Sequence, residues 1–440
     1  LWRKSDGAYR AWSWAEVARQ VSALSRGLRA LGVARGDRVV IVSENRPEWV
    51  VADLAVMAAG AISVPAYTTN TVADHLHIIE DSGSKAAIVS TARLAERLLP
   101  AAARADALEQ VIAIEAIDEA PSQGVSVLAW EDVLARGEAA PDDVAETVGG
   151  LERGETGCFI YTSGTGGAPK GVMLSHGAIL CNCLGAYHLL LELGLEDEVF
   201  LCFLPLSHSY EHTAGLYFPI SIGAQVYYAE SIEKLATNMQ EARPTLMTAV
   251  PRLYETMHAR ITRDVERAGG LKKSLFDKAV ALGRKEYEAP GSLGIGERLT
   301  DCLVERLVRN KVRGRFGGRL KALISGGAPL NVEIGLFFHA LGLRLLQGYG
   351  QTESAPVVSC NMPHRVKMHT VGPPFPGVEL RIAEDGEILI KGELVMNGYW
   401  NSPEATAEAL KDGWLHTGDI GRLDEDGYLQ ITDRKKDIIV

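Results

Sequence analysis

The 440-residue chain lacks several features that would assign it at once to a class of protein. Its six cysteines form no Cys-x-x-Cys pair, so neither a zinc site nor a dithiol redox site is predicted, and a reducing, cytoplasmic location fits best. Its longest apolar stretch, residues 50–65, contains Asp53 and is shorter than the roughly 20 residues that span a bilayer. No transmembrane helix is therefore predicted, and no fixed-period repeat is visible.

An excess of positive charge is also missing. The formal net charge is -11 at pH 7, which argues against a nucleic-acid partner, because duplex binding relies on a basic surface. The exception is residues 301–321, where seven Lys and Arg stand against Asp301 and Glu305. We interpret this segment as a solvated helix face, and the alternative is a surface that attracts anionic lipid or a polyanionic cofactor.

A glycine-rich segment, YTSGTGGAPKGVMLSH at residues 161–176, has the composition of an anion-binding loop. It is not a Walker A loop, because Pro169 and Gly171 flank Lys170, and Pro169 also stands where a dinucleotide fingerprint needs its third glycine. Hydroxyl groups, exposed backbone N–H groups and one mobile cation suit a triphosphate tail. The alternative is an ordinary turn.

Alternating apolar runs and amphipathic segments predict doubly wound α/β layers with mostly parallel sheets. Residues 39–42 read as a strand, 47–59 as a helix and the apolar run that ends at Pro65 as a second strand. Further strands are predicted near Ala86, Val199, Gly223, Thr245 and Leu320. After about Val371 the pattern changes. Asp-Gly pairs at 385–386, 412–413 and 426–427 predict the hairpins of a smaller antiparallel β unit.

Three further stretches carry side chains suited to a nucleotide. QGYGQTES at residues 347–354 follows the largely apolar run 343–346, which places it at the carboxyl end of a predicted strand, where α/β sheets usually bind ligands. It offers the flat face of Tyr349, the hydroxyl of Thr352 and, at Glu353, a carboxylate of the kind that binds Mg²⁺. SGGAPL at 325–330 offers a turn that could lie flat against a base. In the stretch from 413 to 437, Asp419 could accept both ribose hydroxyls. The alternatives are a core tyrosine, a helix-start acid and an acid that caps a turn.

In this order and at these distances, the four stretches resemble the adenylate-forming superfamily of acyl-CoA synthetases, luciferases and peptide-synthetase adenylation domains, over nearly the whole chain. LPLSHSYEHT at 204–213, VPRLYE at 250–255 and the helical insertion before SGGAPL resemble the long-chain fatty acid branch. The resemblance implies the large N-terminal domain of such an enzyme, with paired α/β subdomains in residues 1–370 and a small distorted antiparallel β-barrel in 371–433. It also implies a hinge at 434–440, with the C-terminal small domain absent.

The activity implied is ATP-dependent conversion of a long-chain fatty acid to acyl-adenylate with release of pyrophosphate, and then thioester formation with coenzyme A. Without the small domain, the chain is expected to bind nucleotide but to adenylate poorly. The alternatives are a medium-chain or aryl acid as substrate, an acyl-AMP ligase, and a non-catalytic nucleotide-binding paralogue. A zinc hydrolase built on the H-x-x-E-H pattern of residues 208–212 is disfavoured, because no downstream segment supplies a third ligand.

The partners expected are therefore fatty acid, ATP and coenzyme A, with Mg²⁺ as cofactor and no nucleic acid; peripheral contact with a membrane surface and a homodimer stay open. The catalytic residues implied by the resemblance are Lys170, Thr352, Glu353 and His208. The nucleotide-binding residues implied are Thr162, Ser163, Gly164, Thr165, Gly166, Gly167, Gly327, Ala328, Pro329, Gln347, Gly348, Tyr349, Gly350, Gln351, Asp419 and Arg434. Thr162 and Glu353 are the metal ligands implied, and Lys436 is the hinge pivot. The family usually has Thr or Ser where this chain has Gly166, so one hydroxyl contact is lost.

Overall fold

The computed structural model describes residues 1–117, 124–162 and 168–435. Its strands, in chain order, are β1 (Trp2–Ser5), β2 (Ala8–Ala11), β3 (Arg38–Val42), β4 (Ile62–Ala66), β5 (Ala86–Val89), β6 (Gln110–Ala113), β7 (Ser126–Ala129), β8 (Thr156–Thr162), β9 (Lys170–Ser175), β10 (Val199–Cys202), β11 (Gln225–Tyr228), β12 (Leu246–Ala249), β13 (Ala322–Ser325), β14 (Leu345–Tyr349), β15 (Ser359–Cys360), β16 (Glu379–Ile382), β17 (Glu387–Lys391), β18 (Gly398–Tyr399), β19 (Leu410–Lys411), β20 (Trp414–Leu423) and β21 (Leu429–Arg434).

The helices pack on and between the sheets. They are α1 (Trp14–Ala30), α2 (Pro47–Ala58), α3 (Val72–Ser82), α4 (Ala92–Ala102), α5 (Trp130–Ala139), α6 (Val144–Gly149), α7 (His176–Leu190), α8 (Phe218–Ser221), α9 (Leu235–Ala242), α10 (Pro251–Ala268), α11 (Gly270–Glu288), α12 (Ile295–Val304), α13 (Asn310–Arg315), α14 (Val332–Ala340) and α15 (Pro403–Ala409). Two π-helical segments, Glu211–Tyr217 and Glu305–Arg309, and two 3₁₀ turns, Leu191–Leu193 and Thr352–Ser354, complete the set. Within the described residues, every helix is too short or too polar to cross a bilayer.

The first sheet has eight strands in the order β18-β9-β8-β4-β3-β5-β6-β7. The strands from β4 to β7 pair in parallel, whereas β8, β9 and β18 pair with one another antiparallel. Strands β4 and β5 are buried along their whole length, which explains why they read in the sequence as continuous apolar runs. The predicted strand, helix and strand at residues 39–65 are confirmed as β3, α2 and β4.

The second sheet also has eight strands, in the order β15-β14-β13-β12-β10-β11-β1-β2. Its centre, from β14 to β11, is parallel, and the antiparallel pairs lie at its two edges. The strands predicted near Val199, Gly223, Thr245 and Leu320 are confirmed as β10 to β13. Two mixed α/β sheets covered by helices are the architecture that the sequence predicted.

The smaller unit is a five-stranded antiparallel sheet of β16, β17, β19, β20 and β21. All three predicted Asp-Gly hairpins are confirmed, because each pair connects strands that pair antiparallel. The tightest is the turn at Asp412 and Gly413, whose φ angles of 53° and 79° are both left-handed. Two-residue hairpin turns with this geometry favour Asp-Gly, because their twist matches that of the flanking strands.

A buried polar cluster joins the two large sheets. Asp53 of α2 accepts hydrogen bonds from the Ser63 hydroxyl (2.6 Å), His212 Nε2 (2.9 Å) and the Tyr217 hydroxyl (2.5 Å). Ser63 belongs to β4 of the first sheet, whereas His212 and Tyr217 belong to the π-helical segment that follows β10 of the second. Burial opposes ionisation of Asp53, but the charge of His212 and the three hydrogen bonds outweigh it and lower the pKa of Asp53.

Candidate functional site

The glycine-rich segment begins and ends on a β-hairpin. Thr162, the last residue of β8, lies opposite Lys170, the first residue of β9, in the antiparallel register. The hairpin therefore holds the predicted metal ligand and the predicted catalytic lysine side by side at the base of the loop. Five predicted nucleotide contacts in that loop, and the predicted hinge pivot, lie outside the described residues; they are Ser163, Gly164, Thr165, Gly166, Gly167 and Lys436.

Tyr399 connects Lys170 to Glu353. Strand β18 pairs with β9 and places the Tyr399 ring 5.3 Å from Lys170 Nζ, within the range of a cation–π contact. The Tyr399 hydroxyl donates a 2.7 Å hydrogen bond to Glu353 Oε1. Burial, and then the charge of Glu353, raise the pKa of Tyr399, so its hydroxyl stays protonated and orients the carboxylate. Tyr399 was not among the site residues predicted from the sequence.

Thr352 and Glu353 form a 3₁₀ turn with Ser354 directly after β14. The Thr352 Oγ1 atom lies 3.0 Å from the Ser209 Oγ atom, so the segment after β10 reaches the same place. His208, the neighbour of Ser209, is exposed and accepts a 3.2 Å hydrogen bond at Nδ1 from the Tyr210 N–H group. Protein packed around the ring partly desolvates it and lowers the pKa of His208, so the imidazole is neutral at neutral pH.

Tyr349, Asp419 and Arg434 make a second group of contacts beside this turn. The Tyr349 hydroxyl donates to Asp419 Oδ2 at 2.7 Å, and Arg434 Nε lies 3.5 Å from Asp419 Oδ1. Asp419 and Arg434 face each other across β20 and β21. Burial raises the pKa of Asp419, against the opposing effects of Tyr349 and Arg434. A mostly buried carboxylate is thus held on β20, with its Oδ2 atom bonded to Tyr349 at the end of β14.

Gln347 fixes the turn of residues 327–329 next to β14. Its Oε1 accepts from the Leu330 N–H group at 3.1 Å, and its Nε2 donates to the Thr370 carbonyl at 2.9 Å. Its side chain therefore binds protein groups and positions the exposed turn of Gly327, Ala328 and Pro329. Gly327 has a φ of 79°, a left-handed conformation that favours glycine.

The sequence placed residues 347–349 after a strand, but the structure includes them in β14. Gly348 and Tyr349 pair with β15, which extends the strand by these residues. At Gly350 a Cβ atom would lie 1.8 Å from the Pro356 carbonyl oxygen, so only glycine fits there. The Gln351 N–H group donates to Ser354 Oγ at 3.1 Å and caps the turn that carries Glu353.

Direct contacts thus join residues from five separate parts of the chain into what we call the central cluster, consisting of Lys170, Ser209, Tyr349, Thr352, Glu353, Tyr399 and Asp419. A cation, two hydroxyls, two carboxylates and two aromatic rings meet at the carboxyl end of β14, where α/β sheets bind ligands. Surface depressions of about 310 Å³ near Arg46 and about 330 Å³ near Phe276 lie elsewhere. The chemistry, rather than the size of a cavity, therefore marks the site.

The profile of the AMP-binding enzyme family matches residues 3–400. The chain belongs to the AMP-binding enzyme family. The long-chain-fatty-acid–CoA ligase FadD15 of Mycobacterium bovis is 35% identical over 446 residues, which cover 100% of this chain and 72% of that relative. Family membership and acyl-CoA ligase relatives of this similarity make the chain a member of an adenylate-forming ligase family.

Solved structures of AMP-binding enzymes share the fold. The N-terminal domain of FACL13 from Mycobacterium tuberculosis matches with a TM-score of 0.69 at 22% identity, covering 98% of this chain and 94% of that one. The anthranilate CoA ligase AuaEII, in complex with anthranoyl-AMP, matches with a TM-score of 0.72 at 21% identity, covering 99% and 75%. At these identities the likeness concerns the fold alone.

The three side chains of the H-x-x-E-H pattern have separate environments. His208 is exposed beside the central cluster, His212 is bonded to Asp53, and Glu211 is fully buried and accepts a 2.5 Å hydrogen bond from the Thr248 hydroxyl. Glu211 Oε1 has no hydrogen-bond partner within the described part of the chain. Burial raises the pKa of Glu211 from 4.5 to about 7.

Replacing Glu211 with glutamine is expected to flatten the dependence of stability on pH. Between 4.5 and about 7 the folded protein binds this proton and the unfolded chain does not, so stability falls as pH rises through this window, by about 3 kcal/mol. Urea unfolding at several pH values in this window measures the slope. Glu198→Gln is the control, because Lys321 and Thr245 outweigh burial and lower the pKa of Glu198. An unchanged slope in Glu211→Gln would contradict the assignment.

Proposed function

We propose that the protein activates a long-chain fatty acid with ATP. In the first step a carboxylate oxygen attacks the α-phosphorus, the bond from that phosphorus to the bridging oxygen breaks, and pyrophosphate leaves. In the second step the thiolate of coenzyme A attacks the acyl carbon and AMP leaves. The observation that carries the proposal is the chain of contacts from Lys170 through Tyr399 to Glu353, beside the Tyr349–Asp419 pair, in a chain of this family.

The residues of the central cluster suit the charges of such a reaction. Lys170 offers a cation for the leaving phosphates, and the Thr352 hydroxyl offers a donor for an α-phosphate oxygen. The ring of Tyr349 and the turn of 327–329 offer two faces for adenine, and Asp419 and Arg434 offer groups for the ribose. We assign His208, which is exposed beside the central cluster, to the carboxylate of the acid.

The oxygen donors at the hairpin and the 3₁₀ turn fit Mg²⁺. The Glu353 carboxylate and the Thr162 hydroxyl are hard ligands, and Mg²⁺ commonly takes one or two carboxylates together with substrate phosphates. When bound, the ion would neutralise phosphate charge as the leaving group departs. Tyr399 holds Glu353 in place for this purpose through its hydroxyl, and Lys170 lies over the face of the same ring.

The choice of a long-chain acid rests on sequence relatives. FadD15, at 35% identity, is named as a long-chain-fatty-acid–CoA ligase, whereas the anthranilate CoA ligase AuaEII matches at 21%. A medium-chain or aryl acid, or an acyl-AMP ligase that makes no thioester, are the competing proposals. Their substrates and products differ, so one set of assays separates them.

Acid-dependent exchange of labelled pyrophosphate into ATP tests the proposal. We expect exchange with palmitate, less with octanoate and least with anthranilate, and release of AMP when coenzyme A is added. Faster exchange with anthranilate would contradict the long-chain assignment. Slow exchange would agree with the expectation for residues 1–440 alone, whereas binding of ATP with no detectable exchange for any of these acids would make the protein a non-catalytic nucleotide-binding paralogue.

Replacing Tyr399 with phenylalanine is expected to raise the Mg²⁺ concentration needed for half-maximal exchange and to lower kcat/KM for MgATP about tenfold, because a hydrogen bond to a charged group is lost. The ring under Lys170 remains. Tyr428→Phe is the matched control, since Tyr428 also lies beneath a lysine, at 4.6 Å, and donates a 3.0 Å hydrogen bond, but to the Arg365 carbonyl. An effect of equal size on Mg²⁺ dependence in both variants would refute a positioning role for Tyr399.

A further inference from the structure

The outer surface of α12 and the π-helical segment after it is unusually apolar for a helix face in contact with solvent. Four large aliphatic side chains follow one another at intervals of four residues and are exposed to 84%, 70%, 50% and 38%; they are Ile295, Leu299, Leu303 and Leu307. The opposite face is also apolar, with Val304 buried against Ala279, Leu282 and Leu293. A helix that packs on one face should present polar groups on the other, so the exposed stripe needs an explanation.

Basic side chains flank this stripe. Residues 270–321 contain thirteen Lys and Arg against six Asp and Glu, a local net charge of +7 in a chain whose net charge is -11. The carboxylates of this helical region already form ion pairs. Glu297 pairs with Lys285, and Asp301 pairs with Arg309. Glu305 pairs with both Arg309 and Arg313. Across the described ranges, no carboxylate lies within ion-pair distance of Arg298, Arg306 or Lys311, and all three are exposed.

We propose that this outer surface, which we call the α12 face (Ile295, Leu299, Leu303, Leu307, Arg298, Arg306 and Lys311), docks on an anionic lipid bilayer. Aliphatic side chains on one side of a helix with arginine and lysine at its borders are the pattern of helices that lie in the membrane interface. The leucines enter the boundary between headgroups and acyl chains, and the cations remain at the level of the lipid phosphates. The inference does not depend on the proposed adenylation, and its test uses no activity.

The size and charge of the α12 face favour a lipid surface over a second copy of the chain. The four exposed fractions amount to about two and a half fully exposed side chains, a few hundred Å², whereas a stable dimer buries roughly 800 Å² on each partner. Two copies of one face would also bring like charges together. An anionic bilayer, by contrast, complements the cations and offers apolar depth to a single row of side chains.

A second apolar stripe provides a matched control. On α7, Leu180, Leu184 and Tyr187 are exposed to 49%, 56% and 40%, at similar helical spacing. That helix contains two histidines, His176 and His188, but no Lys, Arg, Asp or Glu, and Glu192 follows it. If exposed leucines were sufficient for membrane binding, both the α7 stripe and the α12 face would bind bilayers. If membrane binding also needs basic side chains beside the leucines, only the α12 face will bind.

Flotation of the purified chain with vesicles tests the proposal. We expect binding to vesicles of phosphatidylcholine mixed with phosphatidylglycerol, weaker binding to phosphatidylcholine alone, and release by salt. The double variant Leu299→Ser, Leu303→Ser should bind at least tenfold more weakly, and Arg306→Ser, Lys311→Ser about tenfold more weakly to anionic vesicles only. Leu180→Ser, Leu184→Ser should bind within about twofold of the unaltered chain.

Thermal melting establishes that each variant is folded, which is expected because the substituted side chains are exposed. Absence of binding to anionic vesicles, or equal loss in the α7 and α12 variants, would overturn the proposal. Sedimentation analysis supplies a further outcome. A dimer that the Leu299→Ser, Leu303→Ser variant converts to a monomer would mean that the α12 face binds a second copy, and the lipid assignment would be wrong.

Discussion

Replacing Glu353 with alanine is expected to lower kcat/KM for MgATP in the exchange assay by about 10²- to 10³-fold. The change removes the carboxylate that Tyr399 orients and that suits Mg²⁺, and loss of a metal ligand at a reacting phosphate costs several kcal/mol of transition-state stabilisation. Palmitate-dependent pyrophosphate exchange, measured over a range of Mg²⁺ concentrations, gives both the rate and the apparent metal affinity.

Two variants separate the role of the charge from the role of the hydrogen bond. Glu353→Gln retains an oxygen acceptor for the Tyr399 hydroxyl but lacks the negative charge, and it should lose nearly as much activity as the alanine variant if metal binding is the function. Glu393→Ala is the control, because it removes an exposed carboxylate whose partner is Arg153. Full exchange activity in Glu353→Ala would remove Glu353 from the proposed metal site.

Replacing Asp53 with alanine is expected to lower the free energy of unfolding by about 3–5 kcal/mol. Asp53 has no exposed surface, and its removal leaves the imidazole of His212 and the hydroxyls of Ser63 and Tyr217 buried without their acceptor. Because these groups come from both large sheets, we also expect the two sheets of the variant to unfold in separate transitions rather than in one cooperative transition. Urea unfolding, followed by fluorescence and by circular dichroism, measures both effects.

A conservative variant and a surface variant calibrate this result. Asp53→Asn keeps an oxygen acceptor and should cost less than the alanine variant, about 1–3 kcal/mol. Glu138→Ala breaks an ion pair with Arg19 in which both side chains are more than half exposed, and it should cost less than about 1 kcal/mol. A cost for Asp53→Ala as small as that for Glu138→Ala would show that the cluster does not hold the sheets together.

The local pattern of apolar, polar and turn residues was sufficient to predict much of the fold. Strands β3, β4, β10, β12 and β13 are largely buried runs of four or five residues, and the sequence shows them as short apolar segments between helical patterns. The Asp-Gly hairpins of the antiparallel sheet could also be predicted, because the glycine of each pair has a left-handed φ angle that favours glycine in a turn. The carboxyl end of β14 could not be predicted from the local sequence, because its last residues belong to the strand only through pairing with β15, which lies ten residues later.

Contacts between distant segments could not be predicted from the residues alone. Tyr399 reaches Lys170 and Glu353 only because β18 pairs with β9, more than 200 residues earlier, and nothing in the local sequence NGYW marks that pairing. Asp53 appeared in the sequence only as an interruption of an apolar stretch, whereas the structure makes it the acceptor for three buried donors. Gln347 stays a predicted nucleotide contact, and the local sequence did not show that its side chain binds the Leu330 N–H group and the Thr370 carbonyl.

The most direct test of the central claim is a crystal structure of the protein with a non-hydrolysable analogue of palmitoyl-adenylate. The account predicts adenine between the Tyr349 ring and the turn of 327–329, ribose hydroxyls at Asp419, and the phosphate beside Thr352 and Lys170. Density for the analogue at any place that does not contact Tyr349 and Asp419 would contradict the assignment of the central cluster as the nucleotide site.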